Sequence, residues 1–515
     1  MHCQLDTLRR CFPPSIRKTL NELPATLDET YERTLEGIPK EKRHHAHRLF
    51  QCLVAAIRPL RAEELAEIFA IDFDLDTVTS PYLMDAWRPE NPEEAILSTC
   101  STLISVIDGN GGSKIVQFSH FSVKEFLISD RLRTSEVGNI RDDHIRLDAA
   151  HTLLARACLT VLLHLDEKTD KERLATFPLA FYAAQCWFEH ASYENVALQV
   201  EDAMEELFNP RKPYLTSWVW IHDLDQWWFR KSINIVTNIR SRPKRTALYY
   251  AVLCGLSGPA KYLISTHGED VNAQCGYHGT LLHAASYKGH LDAVSLLLDH
   301  GAEVNVTDKH GRTPLCAAYD GGHLQVMQLL LEHGAALDVR YNRLGLLIHD
   351  ATYDGEAEVI RLLLQHHANV NATSYYNYTP LHWASRKGHA DVVQILLEHG
   401  ADIDAPSLFG TPLFRAVESG RFDVTRLLLE RGADMQVRGE GDFTLFQVAT
   451  QKGHTSIAQL LLENGADKEC RRGYAICTDR GLQYFAPLRV LQSIPFRYMV
   501  LLGYLVISIL IFTYS

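Results

Sequence analysis

The sequence lacks the usual marks of a secreted or nucleic-acid-binding protein. Its eleven cysteines are scattered without paired spacing, and the opening residues, MHCQLDTLRR, contain no apolar signal-peptide core. The formal net charge of −12 supplies no overall basic field to attract nucleic acid or an anionic membrane. We therefore expect reduced thiols in a cytoplasmic protein.

Residue groupings typical of catalysis are also missing. A phosphate-binding loop needs a glycine-rich turn followed by Lys and Ser or Thr at a helix start. The nearest match, GNGGSK at 109–114, has the wrong spacing and lies between two β-like runs, which is typical of a hairpin turn. His44, His45 and His47 have no acidic or cysteine partner nearby and fit a solvated helix face better than a metal site. We predict no enzyme activity, catalytic residue, cofactor or metal.

One pattern recurs seven times between about Thr246 and Cys470. The copies begin at TALYYA, TLLHAA, TPLCAA, LLIHDA, TPLHWA, TPLFRA and TLFQVA, with starts 34, 33, 33, 33, 32 and 33 residues apart. Each copy has a glycine nine residues after its start, and six copies continue with a leucine-rich triplet. The period near 33, TPLHxA and the mid-repeat Gly-His resemble the ankyrin repeat. That resemblance implies helix pairs stacked into a solenoid, because one unit cannot bury its own apolar face.

The residues before the repeats also resemble parts of a known family. LPATLDETYERTL (23–35), FSHFSVKEFL (118–127) and FPLAFYAAQCWFEHA (177–191) are similar to segments that follow the nucleotide-binding NACHT domain in fungal NLR-like proteins. The resemblance implies a mainly α chain in which a winged-helix domain and a helical connector precede an ankyrin-repeat solenoid. We predict these divisions: 1–42, a remnant following a NACHT domain; 43–135, the winged helix; 140–240, the connector; 241–470, about seven repeats; 471–515, the tail.

A winged helix often binds DNA, so its charge is informative. From Arg43 to Glu125 there are seven Lys and Arg against twelve Asp and Glu, and residues 89–113 contain no basic residue. DNA binding requires cations that displace phosphate counterions. We therefore expect no nucleic-acid partner. In the connector, Trp218, Trp220, Trp227 and Trp228 favour core packing over an aromatic ligand site.

Partner-binding residues in the array are expected at the hairpin tips and on the groove side of the first helices. Tyrosine and arginine are preferred because they anchor protein interfaces. The best single patch is SYYNY (374–378) together with Arg386 and Lys387, although tip residues also pack on neighbouring tips. The predicted protein-binding residues are Tyr277, Tyr287, Lys288, His310, Tyr341, Tyr353, Tyr375, Tyr376, Tyr378, Arg386 and Lys387.

The fourth copy departs from the pattern. It begins at Leu346 without Thr or Pro, and His367 replaces the glycine that ends the second helix in other copies. A histidine in the left-handed conformation is strained, so this repeat is expected to be a softer joint.

The last eighteen residues, 498–515, carry no charge and follow Arg497. This length is at the short edge of a membrane span. A C-terminal anchor, a strand-rich segment and a C-terminus altered by an error in gene structure are the alternatives.

Two functions are compatible with these features. The first is a non-enzymatic scaffold or ligand sensor that binds a protein of unknown identity through its ankyrin surface, as a monomer unless joined to a NACHT domain. The alternative is the regulatory half of a NACHT-type nucleotide switch whose nucleotide-binding domain is missing from this chain, and is either encoded upstream of Met1 in the true gene or supplied by a partner. Membrane attachment is expected only through 498–515.

Overall fold

The computed structural model describes most of the chain up to residue 466. The chain forms two compact units, residues 1–375 and 376–515. Only the backbone is described at 82–83 and 340–342. The described ranges are 27–73, 82–83, 87–109, 112–134, 141–166, 169–222, 245–275, 279–342, 345–438 and 443–466.

The first part of unit 1 is a winged helix, as predicted. Its antiparallel sheet has three strands in the order Leu60–Arg61, Lys114–Phe118 and Ile104–Asp108, and helices pack around it. The helix before the wing starts at Pro92, where Asn91 accepts a hydrogen bond from Glu94 N at 3.2 Å and so caps the helix. The elements are α1 (Leu27–Glu36), α2 (Lys40–Ala55), β1 (Leu60–Arg61), α3 (Ala62–Phe69), β2 (Ile71–Asp72), β3 (Tyr82–Leu83), α4 (Pro92–Cys100), β4 (Ile104–Asp108), β5 (Lys114–Phe118), α5 (Phe121–Leu127) and α6 (Asp130–Arg133).

The glycine-rich segment 109–114 joins β4 to β5, and the prediction of a hairpin turn is confirmed. Asp108 pairs with Lys114 in register, and Gly109 N donates to Ser113 O at 2.7 Å. Gly112 has a φ of +80°, which a glycine adopts without strain.

The prediction that the histidines of α2 lie on a solvated helix face is correct only in part. His44 and His45 are exposed, whereas His47 is half-buried. Burial, followed by the nearby His44, lowers the pKa of His47.

Two buried glutamates lie on α3: Glu64 is bonded within the winged helix, and Glu67 links the winged helix to the helices that follow it. Glu64 accepts hydrogen bonds from Arg58 Nη2 at 2.7 Å and from the backbone N of Arg61 at 2.8 Å. Glu67, 1% exposed, accepts from Arg88 Nη2 at 2.7 Å and from Leu179 N at 2.5 Å. Because both carboxylates are out of water, these bonds satisfy charges that would otherwise be costly to bury.

The connector is helical and its aromatic residues form core. Trp218 is fully buried, donates from Nε1 to Ala184 O at 2.8 Å, and lies edge-on to Trp187 at 5.4 Å. Its ring is also 6.0 Å from Tyr250 in the first repeat, so the predicted packing role is confirmed for Trp218. Trp227 and Trp228 lie outside the described residues. The helices are α7 (Leu147–Leu163), α8 (Lys171–Ala175), α9 (Ala180–Ala191), α10 (Val196–Gln199), α11 (Glu201–Phe208) and α12 (Tyr214–Ile221).

Ankyrin helix pairs follow in both units. Four repeats lie in unit 1: α13 (Ala247–Leu253), α14 (Ser257–His267), α15 (Leu281–Lys288), α16 (Leu291–Asp299), α17 (Pro314–Gly321), α18 (Leu324–Glu332), β6 (Arg340–Asn342), β7 (Gly345–Leu346), α19 (Leu347–Asp354) and α20 (Ala357–Gln365). Three lie in unit 2: α21 (Pro380–Lys387), α22 (Ala390–Glu398), α23 (Pro412–Glu418), α24 (Phe422–Glu430), α25 (Leu445–Lys452) and α26 (Thr455–Glu463).

Histidines of the repeat motif link each first helix to the next hairpin. In α21, Nδ1 of His382 accepts from Thr379 N at 3.1 Å, and Nε2 donates to Gly410 O at 3.1 Å. His283 and His349 occupy the same position in unit 1 and make the same kinds of contact, to Arg312 O and Ala372 O respectively. Each histidine therefore fixes a helix start and the neighbouring turn together.

The residues that end the helices adopt the predicted left-handed conformation. Gly301 has a φ of +83° and Gly400 also has +83°. His367 takes the same conformation with a φ of +66°, so the predicted strain at this position is present.

No helix in the described residues is long and apolar enough to cross a bilayer. The segment 498–515 lies outside the described residues, and its role as an anchor stays a prediction.

Candidate protein-binding surfaces

In unit 1 the predicted binding residues are spread over several repeats. Tyr287 and Lys288 lie at the end of α15 and Tyr353 near the end of α19; the lysine is exposed and the two tyrosines are half-buried. Tyr277 lies outside the described residues, and only the backbone of Tyr341 is described, in β6.

The tip that carries His310 is held rigidly while the histidine side chain stays exposed. Asp308 Oδ1 accepts from the backbone N of His310 at 2.8 Å and of Arg312 at 2.9 Å. The Arg312 guanidinium donates to Asp308 Oδ2 at 2.9 Å. Burial alone would raise the pKa of Asp308, but these hydrogen bonds lower it below its usual value.

Unit 2 carries a cluster at the tips of two consecutive repeats, which we call the aromatic tip cluster: the exposed Tyr376 and Leu408 and the half-buried Phe409. Tyr376 is 59% exposed and Leu408 64% exposed. The ring of Tyr376 lies 5.2 Å from that of Phe409, and Leu408 N donates to Tyr376 O at 3.0 Å. Tyr376 has a φ of +65°, so its ring is displayed from a left-handed backbone.

Tyr378 departs from the sequence prediction, which placed it on the exposed tip. It is only 2% exposed, with its ring stacked on His382 at 5.1 Å and edge-on to Trp383 at 5.0 Å. The Arg415 guanidinium lies 5.4 Å from the ring centre, and burial raises the pKa of the phenol. Tyr378 is therefore a packing residue and offers a partner almost no area.

A cationic edge borders the groove of unit 2: Arg386, Lys387 and Arg421. Arg386 is exposed, with its guanidinium 5.8 Å from the Trp383 ring centre. Arg421 is also exposed, and its Nε donates to Arg386 O at 3.1 Å. Lys387 is half-buried. Tyr375, 54% exposed, is the last residue of unit 1.

The bond from Arg421 belongs to a series that sequence reasoning missed. In each repeat a glycine ends the first helix, and in this series the side chain of the next residue is the donor. The acceptor is a backbone carbonyl in the preceding repeat, two residues before the glycine that ends its first helix. We call this contact the inter-repeat bond. The four such bonds within units are His290 Nε2 to Leu253 O (3.1 Å), His323 Nε2 to Tyr287 O (3.1 Å), Arg421 Nε to Arg386 O (3.1 Å) and His454 Nε2 to Glu418 O (3.3 Å).

The junction between the third and fourth repeats has Glu356 at the donating position. An ionised carboxylate is an acceptor only, so it cannot make the inter-repeat bond. At the other junctions within units, the donating side chain covers the glycine that ends the first helix of the preceding repeat. A Cβ at Gly255, for example, would lie 2.6 Å from His290 Nδ1. At the junction with Glu356, nothing lies within 4 Å of a Cβ at the corresponding Gly322. The sequence signal was the change from Gly-His to Gly-Glu at 355–356.

A cavity of about 400 Å³ lies at this junction, which we call the junction pocket. Leu324, Met327 and Val359 provide apolar lining. Its carboxylates are those of Asp320, Asp354, Glu356 and Glu358.

Three of these carboxylates have described partners. Asp320 pairs with Arg312 at 3.0 Å, Asp354 accepts from Tyr319 Oη at 2.8 Å, and Glu358 lies 3.7 Å from Arg361 Nε. Glu356 is exposed.

Comparison with known proteins identifies the two kinds of domain. The family described as ankyrin repeats matches three stretches, residues 248–341, 342–407 and 403–472. The family described as the winged helix domain of GPI inositol-deacylase matches residues 31–138. The chain therefore contains ankyrin repeats and a winged helix of that type.

Two individual proteins are similar to parts of the chain. Azaphilone pigments biosynthesis cluster protein L from Monascus ruber is 32% identical over 296 residues, which cover 54% of this chain and 60% of that relative. The human ASB11 ankyrin repeat domain, known from a crystal structure, is 31% identical, with a TM-score of 0.38; the match covers 44% of this chain and all of that domain.

Proposed function

We propose that this protein acts without catalysis by binding a protein partner through the ankyrin surface of unit 2. The aromatic tip cluster provides the apolar contact and the cationic edge provides the charged one. The ankyrin-repeat matches support protein binding in general. The observation that supports this particular surface is the left-handed, exposed Tyr376 packed against Phe409.

The conformation of Tyr376 is energetically costly. A non-glycine residue in the left-handed region loses about 1–2 kcal/mol, and such strain persists where the surroundings fix it and is concentrated at binding sites. Here Leu408 N holds the Tyr376 carbonyl. A glycine would relieve the strain but would remove the ring, so a tyrosine at this strained position favours a role for the ring in binding.

The residue types of this surface also suit a protein partner. Tyrosine and arginine dominate the energetics of interfaces because they bury large areas and keep a polar end. In unit 2, Tyr376 and Arg386 are both exposed.

A double variant, Tyr376→Gly with Arg386→Ala, tests the proposal. Glycine accepts the left-handed backbone, so we expect an unchanged or higher unfolding midpoint. The full-length variant and wild type serve as baits in extract of the expressing cells, and captured proteins are quantified by mass spectrometry. Each candidate is then purified, and its Kd for the variant is expected to rise at least about tenfold.

The matched control is Phe422→Ala with Arg426→Ala, which removes one aromatic and one arginine from the outer helix α24 of the same unit. Phe422 is 39% exposed, and Arg426 is also exposed. A partner lost with the test variant and retained with the control supports the proposal. Equal capture by wild type, test and control would rule out this surface.

A second candidate function is the regulatory half of a NACHT-type nucleotide switch of the fungal NLR-like kind. The winged-helix match over residues 31–138 favours it, together with the resemblance of the flanking segments. Transcript sequencing upstream of Met1 tests this candidate. An in-frame P-loop domain there would support it, and an in-frame stop codon close to Met1 would exclude a NACHT domain encoded in the same transcript.

A further inference from the structure

The third and fourth repeats meet differently from the other pairs within each unit. Unit 1 has three junctions between repeats and unit 2 has two. In the described residues, four of these five junctions have an inter-repeat bond from a histidine or arginine. At the remaining junction Glu356 replaces the donor, and the space above Gly322 stays open. The junction pocket therefore lies where Glu356 stands in place of the histidine or arginine side chain that fills this space at the other junctions within units.

We propose that the junction pocket binds a lysine or arginine side chain from a basic segment of a protein partner. This inference rests on the proposed protein-binding function and adds the chemistry of a second contact, in unit 1.

The shape of the pocket suits a long cationic side chain. A volume of about 400 Å³ is within the range of sites that enclose small ligands, about 300–1,000 Å³. Leu324 and Val359 can contact the aliphatic stem, because lysine and arginine bury their methylene groups while the charged end stays polar. Met327 also lines the pocket but is only 1% exposed, so it adds little contact area.

The charge of the pocket favours a cation over an anion. Four carboxylates line it, and in the described part of the chain two of them pair with an arginine, Asp320 with Arg312 and Glu358 with Arg361. Tyr319 Oη donates to Asp354, which leaves the charge of that carboxylate in place. The remaining negative charge attracts an ammonium or guanidinium group and repels phosphate or carboxylate.

The carboxylates are not arranged for a metal ion. No group of three or more His, Cys, Asp or Glu side chains in the described part of the chain is placed to hold one. An organic cation with an apolar stem therefore fits better than Ca²⁺ or Mg²⁺.

The decisive variant is Glu356→His, which introduces the residue found at this position in four of the other repeats. The imidazole should donate across the junction and occupy the space above Gly322, as His323 does above Gly289. We expect an unfolding midpoint at or above that of wild type. Glu356→Gln removes the charge with little change in size and keeps the test valid if the histidine variant folds poorly.

The probe is a capped, fluorescently labelled peptide with three lysines separated by glycines, titrated into the full-length protein. We expect the Kd to rise at least about tenfold for Glu356→His and about three- to tenfold for Glu356→Gln. The wild-type Kd should rise with salt because the attraction is electrostatic. The matched control is Glu332→Gln, on α18 of the third repeat, which changes the net charge equally and is expected to bind like wild type.

Several outcomes would overturn the inference. They are no saturable binding to wild type, equal loss with Glu332→Gln, or unchanged binding to Glu356→His. The variant with Tyr376→Gly and Arg386→Ala should bind this peptide normally, because it alters unit 2 only. Failure of the peptide experiment therefore leaves the proposed partner-binding surface of unit 2 untouched, and failure of that surface leaves the pocket untouched.

Discussion

His367 ends α20 in the left-handed conformation, where other repeats have glycine. Its side chain is exposed, so the strain is not offset by burial. Replacing His367 with glycine should raise the free energy of unfolding by about 1 kcal/mol, because glycine adopts a positive φ without the Cβ clash. Urea denaturation followed by circular dichroism measures the change.

The adjacent His366 is the matched control for that substitution. Its φ is −92°, so His366→Gly relieves no strain and should lower stability by about 0.5–1 kcal/mol through the added freedom of the unfolded chain. If both variants shift stability in the same direction, left-handed strain at His367 is not the cause.

The tyrosines of SYYNY show where sequence information ends. The spacing predicts which residues belong to the tip, but it treats Tyr376 and Tyr378 alike. The structure separates them: Tyr378 packs on His382 and beneath Arg415 from the next repeat, while Tyr376 turns outward. That difference depends on contacts more than thirty residues away and on one positive φ, and neither is encoded in a local pattern.

At the scale of the helix pair, the motif histidines predict a pH dependence. Burial lowers the pKa of His283, His349 and His382, to about 4 for His382. The unfolded chain, with a His pKa of about 6.5, binds more protons than the folded chain below that pH. Stability should therefore be full above about pH 6.5 and fall as the pH approaches 4.

His382 alone should contribute on the order of 3 kcal/mol to that loss. His382→Asn should be less stable than wild type at pH 7.5 and should lose less stability between pH 6.5 and 4. Urea titrations at several pH values give both slopes. Leu413→Ala, a fully buried core residue, is the non-titrating control, expected to be destabilised with the wild-type slope. Parallel curves for His382→Asn and wild type would contradict the prediction.

The repeat elements were largely predictable, because each carries its own start, stop and apolar face. Thr379, Pro380 and Gly388 mark α21 from sequence alone, and the structure ends this helix at a left-handed glycine. The inter-repeat bond was not predicted, because it joins a residue of one repeat to a carbonyl of another. Its absence at Glu356 becomes meaningful only once His290 and His323 are seen to bond across their junctions.

At the scale of the whole molecule, the winged helix and the connector within unit 1 are joined through buried charge. Glu67 links α3 to Arg88 and to the backbone N of Leu179, just before α9. The resemblance predicts both domains and their order, but the sequence pattern within each domain cannot reveal a carboxylate that bonds to both of them. Their division at about residues 135–140 remains a prediction.

Replacing Glu67 with alanine should lower the free energy of unfolding by about 3–5 kcal/mol, because it leaves the Arg88 charge and the Leu179 N–H without their carboxylate. Glu63→Ala is the control on the same helix; Glu63 is exposed, so a change within about 0.5 kcal/mol is expected. Amide exchange gives a local readout, with faster exchange at Leu179 N–H in Glu67→Ala only. If Glu67→Ala and Glu63→Ala were equally stable and equally protected at Leu179, the two domains would be held together by their other contacts, which include the hydrogen bonds from Ile57 N to Tyr182 Oη and from Arg61 Nη2 to Pro178 O, and the buried carboxylate would have no structural role.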